Sequence, residues 1–265
     1  MLTIKNKTLS LTAALLSASF AMHSTALTLT DDFTSGPSAV WNKATWTNGS
    51  PFGCAFTNSA SYLYPASSGM VFKSDKDYCA EMFTGNNYTY GTLETVMSVS
   101  NVPGTVGSAF LISGGSGSTS PWEEIDVEVL PSFPGRVHFA VIYQAYNGGN
   151  WGTAFGEKIY DTYAVNPVPI GTGGAYKVVW STTNIKFYAG GNLLWTVTKG
   201  TGSPTCATTV SGTTASPNCY IPAAQWPVSN KSIRLNAWSG DGSAWPGPFN
   251  NSSTAYTWYD YVYYK

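Results

Sequence analysis

Short segments that alternate apolar and polar residues recur along most of the chain, and they limit its fold more than any other feature. Each is rich in Val, Ile, Thr and aromatic residues and is bounded by Gly, Pro, Asn or Ser, which is typical of β-strands separated by turns. Examples lie at 92–99, 108–112, 124–130, 136–143, 176–180, 185–188, 193–198, 232–238 and 257–264. No window beyond residue 26 has the 3.6-residue apolar period of an amphipathic helix. The pattern therefore predicts an all-β sandwich or barrel, with a hairpin turn at 189–192.

The first 26 residues have the features of a signal peptide. Lys5 and Lys7 precede an apolar run over 9–22, and Ser24-Thr25-Ala26 supplies the small residues that signal peptidase recognises. The run is shorter than the roughly 20 apolar residues that span a bilayer. We expect cleavage near Ala26, one domain at 27–265 and secretion to the extracellular space or periplasm. An uncleaved N-terminal anchor is the alternative.

Charged residues make up only 10% of the chain, and 13 basic against 14 acidic residues give a formal net charge of −1. Nucleic acids and anionic lipids need a basic surface, so we expect neither a nucleic-acid nor a membrane partner. Gly, Ser, Thr and Asn take the place of charge, and aromatic residues reach 15%. Hydroxyls, amides and exposed aromatic rings suit a neutral polar ligand such as a sugar chain, although Tyr and Trp also fill β cores.

Four cysteines are present, and an even number in an exported chain suggests disulfides. Proximity in sequence predicts the pairs Cys54–Cys79 and Cys206–Cys219. No two of them form a CxxC motif, and the chain has only two histidines, His23 and His138. A zinc site is therefore not expected.

The segment 122–130 reads as a strand with three carboxylates on one face. Glu124, Asp126 and Glu128 alternate with Ile and Val residues that can enter the core. Three acids on one strand face repel one another, and this needs a functional reason in a chain with so little charge. Calcium accepts oxygen ligands, but alternate Cα atoms of a rigid strand lie roughly 6.6 Å apart, which is awkward for one ion. Catalysis is the favoured interpretation; a metal site or a solvated surface are the alternatives.

Two carboxyl groups are the machinery of glycoside hydrolysis, and retaining enzymes hold them about 5–5.5 Å apart. Backbones at i and i+4 of a strand lie roughly 13 Å apart, a gap that two glutamates leaning together on a concave sheet can largely close. Asp126 lies between them, where it can hydrogen-bond the nucleophile and raise the pKa of the acid. Glu123 is out of phase, so we assign it no catalytic role.

The run Glu124-Ile125-Asp126-Val127-Glu128 resembles the ExDxE motif of family 16 glycoside hydrolases, in the form without an extra bulge residue. Further blocks at 48–54, 78–81, 90–94, 235–238 and 258–262 are most similar to bacterial lichenases, which are endo-β-1,3-1,4-glucanases. The resemblance implies a β-jelly-roll sandwich of two antiparallel sheets with a concave substrate cleft, and a retaining mechanism. It implies Glu124 as nucleophile, Asp126 as its helper and Glu128 as acid/base.

The resemblance also implies a set of substrate-binding residues. They are Trp46, Asn48, Glu81, Phe110, Trp122, Asn236 and Trp238. Aromatic rings stack on the apolar faces of sugars, and amides and carboxylates hydrogen-bond hydroxyls. The alternative is core packing for the aromatic residues and a solvated position for Glu81. Asp260 falls where lichenases hold a structural calcium, with a turn cap as the alternative. We expect no cofactor for catalysis.

Four positions depart from the lichenase pattern, and all four lose a hydrogen-bonding side chain. Phe83 replaces an arginine, Ile112 a tyrosine, Ala140 an asparagine and Ile142 a tyrosine. The 206–219 loop also lies outside the pattern. We expect a monomer that binds β-glucan, and we expect the substrate to be mixed-linkage β-1,3-1,4-glucan. A β-1,3-glucanase, a transglycosylase of the same family and a non-catalytic glucan-binding module remain alternatives.

Overall fold

The computed structural model describes residues 27–114, 118–150, 152–206, 216–243 and 245–265, so the predicted signal peptide at 1–26 lies outside the described residues. The strands are β1 (Leu29–Asp31), β2 (Trp41–Lys43), β3 (Ala55–Phe56), β4 (Leu63–Ala66), β5 (Gly69–Ser74), β6 (Tyr78–Thr84), β7 (Gly91–Val99), β8 (Thr105–Ser113), β9 (Trp122–Val129), β10 (Arg136–Gln144), β11 (Lys158–Val165), β12 (Gly174–Trp180), β13 (Asn184–Ala189), β14 (Asn192–Gly200), β15 (Asn218–Pro222), β16 (Ser232–Ser239) and β17 (Ala255–Tyr264). Two 3₁₀ turns cover Thr153–Phe155 and Ala223–Gln225, and within the described ranges there is no α-helix.

The strands form two mostly antiparallel sheets, as the fold prediction required. One sheet runs β11-β10-β9-β8-β16-β6-β2, with β3 beside β6, and is named here the cleft sheet. The opposing sheet runs β15-β14-β13-β12-β7-β17-β5-β4, with β1 beside β17. Neighbouring strands are distant in sequence at several points, β8 beside β16 for example, so most contacts are long-range. The result is the predicted jelly-roll sandwich.

The core fills the space between the sheets. Ile125, Val127 and Val129 of β9 are at most 2% exposed and supply part of its floor. Phe139 of the cleft sheet stacks on Phe187 of the opposing sheet with ring centroids 4.9 Å apart. The apolar half of the acidic strand is thus fixed in the core, which forces the other half outward.

All nine strands predicted above are present, and their ends lie within three residues of the predicted ones. The hairpin turn between β13 and β14 is also confirmed, because Gly190 and Gly191 adopt positive φ angles of 54° and 80°. Strands β1–β6, β11 and β15 were not predicted. Among these, β11 bears two adjacent polar residues, Asp161 and Thr162, that obscure its alternation.

Both predicted disulfides form, with Cα–Cα distances of 5.7 Å for Cys54–Cys79 and 4.9 Å for Cys206–Cys219. Asp260 lies where the pairing of β17 with β7 shifts register. In the described parts of the chain, no three His, Cys, Asp or Glu side chains gather as a metal site would require, so calcium at Asp260 stays a prediction. No helix in those parts is long and apolar enough to cross a membrane.

Candidate active site

The acidic strand β9 lies inside the cleft sheet, between β8 and β10. Each of its three outward carboxylates is flanked by one side chain from either neighbour. The cross-strand sets are Ile112–Glu124–Ile142, Phe110–Asp126–Ala140 and Ser108–Glu128–His138. The alternation predicted from sequence is therefore confirmed, and the three carboxylates share one face. Three of the four departures from the lichenase pattern border Glu124 and Asp126 and give that end an apolar lining.

Glu124 is held by the strand's first residue. The indole Nε1 of Trp122 donates a hydrogen bond of 2.8 Å to Oε2 of Glu124. Burial raises the pKa of Glu124 to about 7, and the charge of Glu128 adds to the rise, whereas the Trp122 hydrogen bond and the Arg234 cation oppose it. The carboxyl of Glu124 therefore changes its protonation state near neutral pH.

Asp126 has the strongest reason of the three to keep a proton. It is 5% exposed, and burial, followed by the charges of Glu124 and Glu128, raises its pKa well above the usual range. A hydrogen bond between the two carboxyls raises the pKa of Asp126 and lowers that of Glu124. The protonated form of Asp126 thus donates to Glu124, while the helper role of Asp126 stays a prediction.

Glu128 is bound by a histidine that the sequence did not point to. Nδ1 of His138 lies 2.6 Å from Oε2 of Glu128, and Nε2 lies 3.0 Å from Oδ2 of Asp161 on β11. Burial lowers the pKa of His138, but the hydrogen bonds and charges of Asp161 and Glu128 outweigh it and raise the pKa to about 9. The ring is therefore a cation between two carboxylates at neutral pH.

Glu81 is 2% exposed, so its alternative as a solvated residue is wrong. Its carboxylate accepts a 2.8 Å hydrogen bond from Arg234 and a 3.2 Å bond from Asn236, and Asn236 in turn accepts from Ser108. Burial raises the pKa of Glu81, while the Arg234 cation opposes the rise. Glu81 and Asn236 are thus joined in one polar network on the cleft sheet, as their predicted common role requires.

Arg234 places a cation beside Phe83, the residue that replaces an arginine of the lichenase pattern. The two residues are direct cross-strand partners on β16 and β6, and the guanidinium lies 5.2 Å from the Trp46 ring and 5.5 Å from the Phe83 ring. A cation is therefore present next to the position where the lichenase pattern has its arginine, but a different strand supplies it. Trp46 contacts this guanidinium, and its role in substrate binding stays a prediction.

The other predicted binding residues differ from one another in exposure and packing. Phe110 lies beside Asp126 and is 6% exposed. Trp238 is only 2% exposed and packs on Phe52, with ring centroids 4.2 Å apart, so core packing is the better description of it. Asn48 is exposed in the loop between β2 and β3.

A polar cavity of about 420 Å³ adjoins the Glu124 end of the cleft face. Its described lining contains hydroxyl and amide side chains together with Ile112 and Arg234. The lining residues are Asn87, Ile112, Ser113, Gly114, Ser118, Ser120, Ser229, Asn230, Ser232 and Arg234. Such a surface suits a neutral, hydroxyl-rich ligand more than an anion or a lipid.

Sequence reasoning missed His138, Asp161 and Arg234. His138 and Arg234 share strand faces with residues that were considered, Ala140 and Asn236, so alternation alone could have found both. Asp161 had no such signal because its strand was not predicted. Glu123 faces the core as expected and is paired there with Lys231.

A two-sheet sandwich with two glutamates and an aspartate on one outward strand face, beside a polar cleft, defines a glycoside hydrolase. Residues 48–258 match the model of Glycosyl hydrolases family 16, and the chain belongs to that family. It is 28% identical to a beta-glucanase of Bacillus subtilis over 98% of both chains. It is 29% identical to a beta-glucanase of Paenibacillus polymyxa, over 86% of this chain and 83% of that one. The solved Bacillus licheniformis beta-glucanase superposes with a TM-score of 0.64 at 25% identity, covering 90% of this chain and 97% of its own.

Proposed function

We propose that this protein is a secreted, retaining endo-β-glucanase whose substrate is mixed-linkage β-1,3-1,4-glucan. The observation that carries the proposal is the state of the three carboxyl groups on β9. Glu124 accepts hydrogen bonds from Trp122 and from protonated Asp126, and Glu128 is bound through Oε2 by His138. One carboxylate is thus held for attack and the other for proton transfer, which is the division of labour in double displacement.

In the first step, a carboxylate oxygen of Glu124 forms a bond to the anomeric carbon. The bond from that carbon to the glycosidic oxygen breaks, its electron pair goes to the oxygen, and Glu128 supplies the proton. In the second step, water attacks the same carbon, Glu128 takes the proton from the water, and Glu124 leaves as carboxylate. Asp126 donates to Glu124 in the free enzyme and again when the carboxylate is released.

The polar cavity, and relatives of which several are named beta-glucanase, support the proposed substrate class. Arg234 and Glu81 offer a cation and a carboxylate to sugar hydroxyls, with Trp46 beside them as a stacking surface. Ile112 and Ile142 replace hydrogen-bonding groups next to Glu124 with apolar contacts. The proposal therefore predicts weaker polar recognition there than the lichenase pattern would provide.

The first test is reducing-sugar release from barley mixed-linkage glucan, with laminarin, xyloglucan and agarose in parallel. We expect release from the mixed-linkage glucan by the wild type and a loss of at least about 10⁴-fold in Glu124→Gln, because no nucleophile remains. Glu94→Gln, the same change on the opposing sheet, is the matched control and should keep full activity. Release from laminarin alone would move the substrate to β-1,3-glucan. Binding without release from any polymer would refute the hydrolase proposal.

The retaining mechanism has its own test. ¹H NMR of the first product formed from a glucan oligosaccharide should show the β anomer before mutarotation. In Glu128→Ala, added azide should restore turnover of an activated aryl glycoside and yield a β-glycosyl azide, because azide needs no general base. An α anomer as first product would contradict double displacement. Chain-length analysis with added oligosaccharide distinguishes hydrolysis from transglycosylation.

A further inference from the structure

His138 and Asp161 form a charged pair at the acid/base end of the site that the two-glutamate mechanism does not use. The two carboxylates each approach one nitrogen of the same ring, at 2.6 Å for Glu128 and 3.0 Å for Asp161. Ionised carboxylates only accept hydrogen bonds, so both ring nitrogens must carry a proton to satisfy them. While both carboxylates are ionised, this geometry therefore requires an imidazolium.

Aromatic neighbours pack against the imidazole ring of His138 and hold its orientation. His138 is 6% exposed and lies on Tyr163 with ring centroids 4.6 Å apart. Trp245 donates from Nε1 to the Tyr163 hydroxyl at 2.8 Å and closes this side of the site. A buried cation is costly unless it is paired, and here it is paired on both sides. A ring in such a setting has one orientation and one charge.

We propose that His138 is a positioning residue for Glu128, resting on the proposed function: its imidazolium holds Oε2, Asp161 holds the imidazolium, and Oε1 faces the glycosidic oxygen. A cationic hydrogen bond to a carboxyl group favours loss of its proton. His138 therefore strengthens Glu128 as an acid in the first step.

The surrounding elements carry other charged or titratable groups. They are Glu124 and Asp126 on β9, Asp161 and Tyr163 on β11, Arg136 on β10, Glu81 on β6 and Arg234 on β16. Arg234 pairs with Glu81, and Arg136 donates to the backbone oxygen of Tyr163 at 3.4 Å. The β8 neighbour of Glu128 is Ser108, which is neutral. His138 is thus the cation that lies at hydrogen-bond distance from Oε2 of Glu128.

The kinetic test compares pH profiles of kcat/KM for the wild type, His138→Gln and Asp161→Asn on the polymer that the wild type cleaves. Glutamine keeps a neutral donor of similar reach and removes the charge. We expect the alkaline limb of the profile to move up by about one pH unit in His138→Gln, and in the same direction in Asp161→Asn, because the protonated acid persists to higher pH. Lys199→Gln removes an exposed cation from the opposing sheet and should leave the profile unchanged. Coincident alkaline limbs in all four proteins would overturn the proposal.

A second comparison separates positioning from a merely structural role. Aryl β-glycosides of a glucan oligosaccharide with nitrophenol and dinitrophenol leaving groups differ in their need for an acid. We expect His138→Gln to lose about tenfold on the poor leaving group and about twofold or less on the good one. Equal losses on both substrates would mean that the variant only perturbs the fold, and would overturn the assignment.

Histidine-selective ¹⁵N NMR tests the pair without any turnover, because the expected cleavage near Ala26 removes His23 and leaves His138 as the one histidine of the secreted protein. We expect both nitrogens of His138 to be protonated at pH 7 and its pKa to fall in Glu128→Gln and in Asp161→Asn. A neutral His138 at pH 7 would overturn the proposal whether or not the protein cleaves β-glucan. A doubly protonated ring in a protein that releases no sugar would instead refute the proposed function and leave the pairing supported.

Discussion

Glu123 lies next to Glu124, the proposed nucleophile, in sequence, but its side chain is buried on the opposite face of β9. It is 1% exposed and its Oε2 lies 2.5 Å from Nζ of Lys231, which is fully buried. The same oxygen accepts from the backbone N–H groups of Val228 and Ser229 at 3.0 and 2.8 Å. Glu123→Gln keeps an oxygen for these donors and removes only the charge. The substitution therefore isolates what the charge contributes to stability.

Removing one charge of a buried ion pair costs about 3–5 kcal/mol, because the remaining charge loses its counter-charge and is shielded from water. For a chain of this size, each kcal/mol lowers Tm by roughly 2–4 °C, so we expect a loss of roughly 6–20 °C at pH 7. Burial already lowers the pKa of Lys231 to about 8 despite the opposing charge of Glu123. Above that pH the lysine of the folded protein is losing its proton, so the loss should be smaller at pH 9 than at pH 7.

The assay is urea unfolding and calorimetry of Glu123→Gln at both pH values. The control is Asp77→Asn, which breaks an ion pair with Lys76 whose side chains are 53% and 58% exposed and should cost at most about 1 kcal/mol. The double variant Glu123→Gln/Lys231→Met should recover at least half of the loss, because no unpaired charge remains. The reasoning would be refuted if Glu123→Gln were no less stable than Asp77→Asn. It would also be refuted if the double variant lost as much stability as Glu123→Gln and Lys231→Met lose together.

Three further predictions concern the carboxylates of the cleft. In Arg234→Met, the acidic limb of kcat/KM should move up by roughly half to one pH unit, because the lost cation favoured the ionised form of Glu124; an unmoved limb would contradict the coupling. In Trp122→Phe, kcat/KM should fall about tenfold, the worth of one hydrogen bond to a charged group, and circular dichroism should be unchanged. The raised pKa of Glu124, about 7 when folded, stabilises the wild type only below its unfolded pKa, and that stability is lost as pH rises through 7. Glu124→Gln should therefore gain roughly 2–3 kcal/mol relative to the wild type between pH 4.5 and pH 8, and pH-dependent calorimetry that shows no such trend would count against it.

The sequence predicted the elements that depend on local pattern. Alternation over 124–130 fixes which side chains enter the core, because successive residues of a strand point to opposite faces. This is why alternation alone could place Glu124, Asp126 and Glu128 together and set Glu123 apart. Turn residues predicted the hairpin at 189–192, and proximity in sequence predicted the two disulfides.

Tertiary structure decided which side chains meet across strands. Asp161 reaches His138 only because β11 pairs with β10 in one register, and Arg234 reaches Glu81 only because β16 pairs with β6. These strands are distant in sequence or carry polar residues that hide their alternation, so no local pattern predicts the contact. Protonation is likewise non-local, because burial and neighbouring charges set it. The sequence thus determined the fold class and the three carboxylates of the candidate site, whereas the cations that contact them depend on strand register.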